Sequence, residues 1–312
     1  MKKKVFSIVT PVYQNEANLE TTIPALLALQ KKLKNYRLEL VFVDDGSTDR
    51  SFELLERFAR KHRGVVKVVK FTTNFSQTPA TQAGLAHATG DCVGIISADL
   101  QDPPELFLEM LEAWEGGVPL VIAERTNREE GFLHRLVSQA YWRFVNELAL
   151  PGFPAGGFDF CLLDRSLVNE VVKANEKNTS IFPLIFSFRF PHHKIPYTRS
   201  LRKAGKSQWT FGRKLALAMN TFVGFTFLPV RFISYFGVVI SGLSLVYAAF
   251  VVFSYFVLGT RFPGWSSVIT VISGLGGLIL FTLGLIGEYV WRILDEVRGR
   301  PIYVVERRIG FD

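Results

Sequence analysis

The chain has 312 residues, a formal net charge of +8 and only two cysteines, Cys92 and Cys161. That length suits one domain of about 200 residues plus a further segment, and two cysteines exclude a disulfide framework or a CxxC metal motif. The positive balance fits anionic lipid headgroups or a phosphorylated substrate. A nucleic-acid partner is not expected, because no basic helix with interleaved aromatics occurs outside one segment beside the apolar runs described below.

Residues 1–4 are basic, but 5–12 are too short and too interrupted for a signal h-region. The N-terminal part is therefore expected to stay cytoplasmic. Four β-branched runs follow, at 5–9, 38–43, 65–71 and 93–96, with a further candidate at 118–123. Between them, 19–33 and 51–61 carry apolar residues three and four apart, the helical period. Alternating strands and helices imply an α/β fold with a mostly parallel sheet covered on both faces. Cys92 and Cys161 lie in apolar stretches and are expected to be buried free thiols.

In open parallel sheets, ligands bind beyond the carboxyl ends of the strands. Asp44-Asp45-Gly46-Ser47 stands at one such end, where a carboxylate can hydrogen-bond a nucleobase or ribose. A helix cap would account for Ser47, Thr48 or Asp49, but not for a doubled Asp upstream of Gly46. Ser97-Ala98-Asp99-Leu100-Gln101-Asp102-Pro103-Pro104 stands at another. Asp99 and Gln101, two apart on an extended segment, offer oxygen ligands to a divalent cation that bridges to a diphosphate. Asp102 before two prolines reads as a helix start.

Residues 131–150 read as a helix stopped by Pro151, Gly152 and Pro154. From 195 to 227, Arg199, Arg202, Lys203, Lys206, Arg213 and Lys214 interleave with Trp209, Phe211, Leu215, Leu217, Phe222 and Phe225. Such a segment suits the headgroup region of a bilayer. Two runs without Asp, Glu, Lys or Arg come next, 232–260 and 262–287, separated only by Arg261. Each exceeds the roughly 20 residues needed to cross a hydrocarbon core about 30 Å thick. Arg231, Arg292, Arg298 and Arg300 flank the open end of this hairpin, which places both termini in the cytoplasm by the positive-inside rule. Trp265 and Trp291 suit interfacial positions. Gly274, Gly276 and Gly277 read as helix-packing residues, either within the hairpin or in a homo-oligomer. Residues 302–305 are a candidate extra strand. The five histidines, His192 and His193 among them, have no zinc-binding spacing.

Four motifs occur in order: Thr10-Pro11-Val12-Tyr13-Gln14-Asn15-Glu16, Val43-Asp44-Asp45-Gly46-Ser47-Thr48-Asp49, Asn74-Phe75-Ser76-Gln77 and Ala98-Asp99-Leu100-Gln101-Asp102-Pro103-Pro104. Together with the hairpin they resemble family 2 glycosyltransferases. The likeness is greatest to the polyprenyl-phosphate (dolichyl-phosphate-type) enzymes with a two-helix C-terminal anchor, and it covers almost the whole chain. It implies a GT-A fold, a nucleotide-sugar donor, a polyprenyl-phosphate acceptor and Mg²⁺ or Mn²⁺ as cofactor. By the same resemblance, Pro11, Tyr13 and Glu16 match the nucleotide-holding loop, Asp44 and Asp45 the base- and ribose-side carboxylates, and Asp99 and Gln101 the metal–diphosphate site.

Asp159 matches a catalytically placed acid, and Arg199, Arg202 and Lys206 match the basic loop beside the acceptor phosphate. Three positions depart from the family pattern: Ser97 replaces a usual acid, Cys161 a common Arg, and Gln208 a usual Lys. The expected organisation is a cytoplasmic GT-A domain over 1–195, a basic interfacial segment over 196–228, a transmembrane hairpin over 229–292 and a cytoplasmic tail over 293–312. The expected reaction is inverting transfer of one hexose to polyprenyl phosphate, with UDP-glucose the first donor and GDP-mannose, UDP-galactose or an amino sugar behind it. Two rival readings are a polysaccharide synthase and a non-catalytic sugar-nucleotide-binding scaffold. The synthase would carry a QxxRW-type motif, which Gln208-Trp209 does not supply.

Overall fold

The computed structural model describes residues 3–126, 143, 145–154, 157–174, 176–177, 179–199, 228–257 and 264–311. The chain divides into two compact units, Met1–Gly224 with Pro301–Asp312, and Phe225–Arg300.

The first unit is built in the order β1 (Lys4–Val12), α1 (Glu16–Lys32), β2 (Tyr36–Asp44), α2 (Ser51–Lys61), β3 (Val66–Phe71), α3 (Gln77–His87), β4 (Cys92–Ile95), α4 (Leu106–Glu115), β5 (Leu120–Arg125), β6 (Cys161–Asp164), α5 (Arg165–Ala174), α6 (Ile181–Ser187) and β7 (His192–Tyr197). After the second unit, the chain returns to add β8 (Val305–Ile309). The strands form one sheet in the order β7-β5-β6-β4-β1-β2-β3-β8. β1 pairs in parallel with β2 and β4, β2 with β3, and β5 with β7. β6 runs antiparallel to β4 and β5, and β8 antiparallel to β3.

Strands β1 and β2 are mostly apolar because both faces are covered. Ile8, Val9, Leu40, Val41, Phe42 and Val43 are wholly buried. Helix α1 turns Leu19, Ile23, Leu26 and Leu29 inward, one face at helical spacing. Phe107 of α4 meets Phe6 and Phe160 edge-on, at ring-centroid distances of 5.2 and 4.8 Å. Cys92 and Cys161 are buried free thiols, and burial pushes both thiols up from the ordinary range.

At the edge where the parallel strands begin, Glu39 is buried with Ser7, Thr89 and Lys67 around it. The Lys67 ammonium lies 2.7 Å from its carboxylate, and Thr89 donates from both N–H and hydroxyl. Burial opposes the charge on Glu39, but Lys67, Ser7 and Thr89 outweigh it and hold the carboxyl below its usual range. Beyond β8, Phe311 stacks under the Lys67 ammonium at 5.0 Å.

Several elements differ from the sequence expectation. The extra strand occupies Val305–Ile309 rather than 302–305. The expected helix over 131–150 falls mostly outside the described residues, and its described end, Val145–Ala149, is a single π-helical turn. Asp102 does not cap α4; its side chain turns instead to Tyr197 and Arg199.

The second unit contains α7 (Leu228–Val257) and α8 (Trp265–Val297). At 1.5 Å per residue each is over about 40 Å long, more than a hydrocarbon core requires. Ile233–Val251 and Gly274–Val297 are candidate membrane spans, and neither is buried within the protein. Side chains such as Tyr247, Phe250, Phe253, Leu280 and Phe281 are exposed along them. Apolar surface of that extent calls for a lipid environment or a partner rather than water.

Candidate active site

The site grows from the carboxyl ends of the parallel strands. The loop after β1 and the loop after β2 are stitched together: Gln14 N–H donates to Ser47 Oγ at 3.0 Å, Asn15 N–H to Ser51 Oγ at 2.9 Å, and Glu16 N–H to Asp49 at 3.2 Å. Glu16 pairs with Arg50, its carboxylate 2.6 Å from the guanidinium, and this pairing holds Glu16 below the usual carboxylate range. Pro11 and Tyr13 lead into this loop, half-buried. Glu16 thus braces the two loops against one another.

Asp44 ends β2 and is wholly buried. Burial pushes its carboxyl up. Ser47 lies close enough to oppose part of that shift, yet neither carboxylate oxygen has a partner of ordinary hydrogen-bond geometry among the described residues. A buried carboxylate in that condition is completed by a ligand's donors or by water. Asp45 faces the loop after β3, where Phe75 N–H donates to Oδ1 at 2.7 Å. Burial still dominates and pushes Asp45 up to about 7. Gly46 makes this approach possible. Its φ is +66°, and a Cβ there would come within 2.4 Å of the Thr73 carbonyl carbon.

The turn after β4 carries Asp99 and Gln101, with Gln101 N–H donating to Asp99 Oδ1 at 3.2 Å. Thr22 of α1 pins the turn by donating to the Ala98 carbonyl at 2.7 Å. Among the described residues, no three His, Cys, Asp or Glu side chains group to hold a metal. Asp99 and Gln101 carry the side-chain oxygens of this turn that could serve a hard cation.

Topology brings a second set of charges to the same edge. β6 is antiparallel to β4, with Ile95 opposite Cys161, so Asp159 just before β6 lies at the carboxyl end of β4. β5 and β7 end there too, pairing Arg125 with Tyr197. Arg125 forms an ion pair with Asp159 and donates to the Tyr197 hydroxyl at 3.2 Å. Arg199 lies 3.1 Å from Asp102 and 3.6 Å from Asp159. The Tyr197 hydroxyl in turn donates to Asp102 at 2.6 Å. Burial first, then the neighbouring Asp159, pushes Asp102 up to about 6. Two carboxylates and two guanidiniums balance one another in this network. Arg125 and Tyr197 were not among the residues singled out from sequence. The available signal was an arginine closing a strand, which means little until its partners are known. Arg202 and Lys206 lie outside the described residues.

Residues 7–172 match the family model described as Glycosyl transferase family 2. The chain belongs to that family. It is a glycosyltransferase with the GT-A arrangement expected of such enzymes. It is 36% identical over 98% of its length, and 95% of the relative's, to "Uncharacterized glycosyltransferase YkcC" of Bacillus subtilis (strain 168). It is 32% identical to the "SfII prophage-derived bactoprenol glucosyl transferase" of Shigella flexneri, over 96% of this chain and 97% of that one. Among solved structures, glucosyl-3-phosphoglycerate synthase from Mycobacterium tuberculosis with Mn²⁺ and UDP-glucose is similar over 69% of this chain and 76% of that one, with a TM-score of 0.49 and 18% identity.

In this glycosyltransferase the family match ends in α5, so it takes in Asp44, Asp45, Asp99, Gln101 and Asp159 but not Arg199. The likeness to the bactoprenol glucosyl transferase extends well beyond it, over most of the chain.

Proposed function

We propose that this glycosyltransferase moves a single hexose, glucose from UDP-glucose first among the donors, onto a polyprenyl phosphate at the cytoplasmic face of a membrane. One observation carries the reading. Carboxylates suited to a nucleotide sugar line one edge of a sheet whose unit is covalently joined, at two points, to a pair of membrane-length helices. The likeness to the bactoprenol glucosyl transferase supports both the acceptor and the sugar.

In this reading Pro11 and Tyr13 shape the nucleotide loop, Glu16 braces it, and Asp44 and Asp45 receive hydrogen bonds from base and ribose. Asp99 and Gln101 would hold Mg²⁺ or Mn²⁺, which would supply positive charge against the departing diphosphate when bound. Attack comes from the acceptor phosphate on the anomeric carbon, opposite the leaving group, and inverts it. A phosphate monoester has a second pKa of about 6, so this nucleophile is already largely ionised at neutral pH. Removing a proton is a small part of the task. The larger part is to hold two anions together, which cations do. Arg199, Arg202 and Lys206 serve the acceptor phosphate. Pairing with Asp102 and Asp159 does not exhaust the five donors of the Arg199 guanidinium. Asp159, restrained by Arg125, orients sugar or acceptor.

The hairpin joins the catalytic unit at both ends, and Arg231, Arg292, Arg298 and Arg300 flank it, so catalytic domain and tail share the cytoplasmic side. The expected interfacial segment over 196–228 overlaps β7 and Arg199 at its start, and most of it lies outside the described residues. A Cβ built at Gly274, Gly276 or Gly277 meets nothing within 4 Å among the described residues. These small faces suit packing within the hairpin or with a second copy in a homo-oligomer, which the mass of the detergent-solubilised protein by light scattering checks.

The deciding assay offers radiolabelled UDP-glucose, UDP-galactose and GDP-mannose to the full chain with polyprenyl phosphate and Mg²⁺ or Mn²⁺ in detergent. Label in the organic phase from UDP-glucose is the expected result. Label from GDP-mannose alone replaces the donor, and no lipid-linked label from any donor refutes the acceptor.

A further inference from the structure

The segment that follows the hairpin does more than lengthen the sheet. Strand β8 runs antiparallel to β3, with Val305 opposite Phe71 and Ile309 opposite Val68. The chain therefore enters β8 at the edge where the site lies and leaves it at the far edge. At the entry, Tyr303 stacks face to face on Phe71, centroids 4.9 Å apart and planes 12° from parallel. Phe71 in turn meets Phe75 edge-on at 5.7 Å. Beside these rings, Thr72 N–H donates to the Val304 carbonyl at 3.1 Å. Phe75 is the residue whose N–H donates to Asp45, and Thr73 and Asn74 are the backbone packed over Gly46. The loop leaves these positions through Ser76, a non-glycine residue at a φ of +81°, a conformation that persists only where surroundings impose it.

We propose that Tyr303 is a positioning residue for the donor half of the active site. Together with the Val304 carbonyl it fixes the 72–76 loop, so that the Phe75 N–H meets Asp45. This rests on the reading of Asp45 as a donor-side carboxylate. The aromatic row and the Thr72 bond hold the loop from the β8 side, while Ala80 and Ala83 of α3 pack in the same apolar cluster as Phe71, and α3 begins after Ser76 with no side-chain cap. At the far end of β8, Phe311 packs on His87 and Lys67 and on the margin of the apolar cluster that holds Phe71, with no ring contact to Phe75 among the described residues. The two ends of this segment thus provide a matched pair of substitutions. Both loosen β8, but only one reaches Asp45.

The test compares Tyr303→Ala, Tyr303→Phe and Phe311→Ala in the full chain in detergent. The readouts are hydrogen–deuterium exchange over 72–77, and KM for UDP-glucose and for polyprenyl phosphate with Mn²⁺ present. Tyr303→Ala is expected to speed exchange in the loop and raise the donor KM about tenfold, the scale of one hydrogen bond to a charged group, with the acceptor KM unchanged. Tyr303→Phe keeps the ring stack and should restore both, while Phe311→Ala lowers thermal stability without moving either. Loop exchange unchanged in Tyr303→Ala overturns the proposal, as does faster exchange with an unaltered donor KM. Equal effects of Tyr303→Ala and Phe311→Ala also overturn it, by reducing Tyr303 to general support of the sheet. A wild-type chain that transfers nothing from UDP-glucose refutes the donor reading, and the exchange comparison still decides whether Tyr303 holds the loop.

Discussion

Asp45 shows how burial and a backbone donor compete at a single carboxyl. Its pKa rises from the ordinary 3.8 to about 7 because burial outweighs the hydrogen bonds from Phe75 and Ser76. Between those two values the folded chain binds more protons than the unfolded one, so stability falls as pH rises through this window and levels off above it. Relative to Asp45→Asn, the ligand-free protein should therefore lose stability from pH 5 to pH 8, by about 1.4 kcal/mol for each tenfold change in proton affinity. Chemical unfolding of both proteins across that range checks the sign; a parallel profile would contradict it. Asp99 tests a different quantity. Its half-exposed turn is pinned by Thr22 as well as by the Gln101 N–H that its carboxylate accepts, so Asp99→Ala should abolish transfer while leaving folding and membrane insertion intact. Normal turnover in that variant would remove Asp99 from the metal–diphosphate role.

At the scale of elements, what the sequence disclosed followed from burial. Strands β1, β2, β3 and β4 read clearly because parallel strands covered on both faces are rich in apolar and β-branched residues, and the acidic motifs stand at the carboxyl ends of β2 and β4. Helix α3 escaped notice because its buried residues, Pro79 through Leu85, go all the way round and leave no amphipathic period to detect. Strand β7, His192–Tyr197, has no alternation, and β6 is only four residues long. The Arg125–Asp159–Arg199–Asp102 network was invisible for a related reason. Each carboxylate is joined to its guanidinium by the pairing of β5, β6 and β7, across separations that no local pattern encodes. Gly46 is the opposite case, a residue whose motif position and structural need coincide. Gly46→Ala should cost about 2–4 kcal/mol through its left-handed backbone and the clash with Thr73. Thermal unfolding and donor affinity together check this, and a variant as stable as the parent would show that the 72–76 loop yields.

For the whole molecule, the decisive relation is that one compact unit is interrupted by two apolar helices and then resumed. If α7 and α8 both cross the bilayer, residues 3–199 and residues 301–311 lie on one side of it. Protease added outside sealed vesicles that hold the chain in a single orientation should therefore cut both segments or neither. Protection of one alone would exclude the hairpin arrangement.

The position of β8 also bears on how the enzyme is made. A ribosome releases β1 to β7 well before it synthesises Val305–Ile309, and, if α7 and α8 both span the bilayer, the intervening stretch enters it first. Until then the exposed edge of β3 has no partner, and the loop beside Asp45 lacks the Tyr303 ring. Gly310 shows how closely that last strand is fitted, since a Cβ there would reach the Val66 carbonyl at 2.5 Å. On the proposed reading, maturation is timed by insertion: the loop beside Asp45 is completed last, once the helices have entered the bilayer.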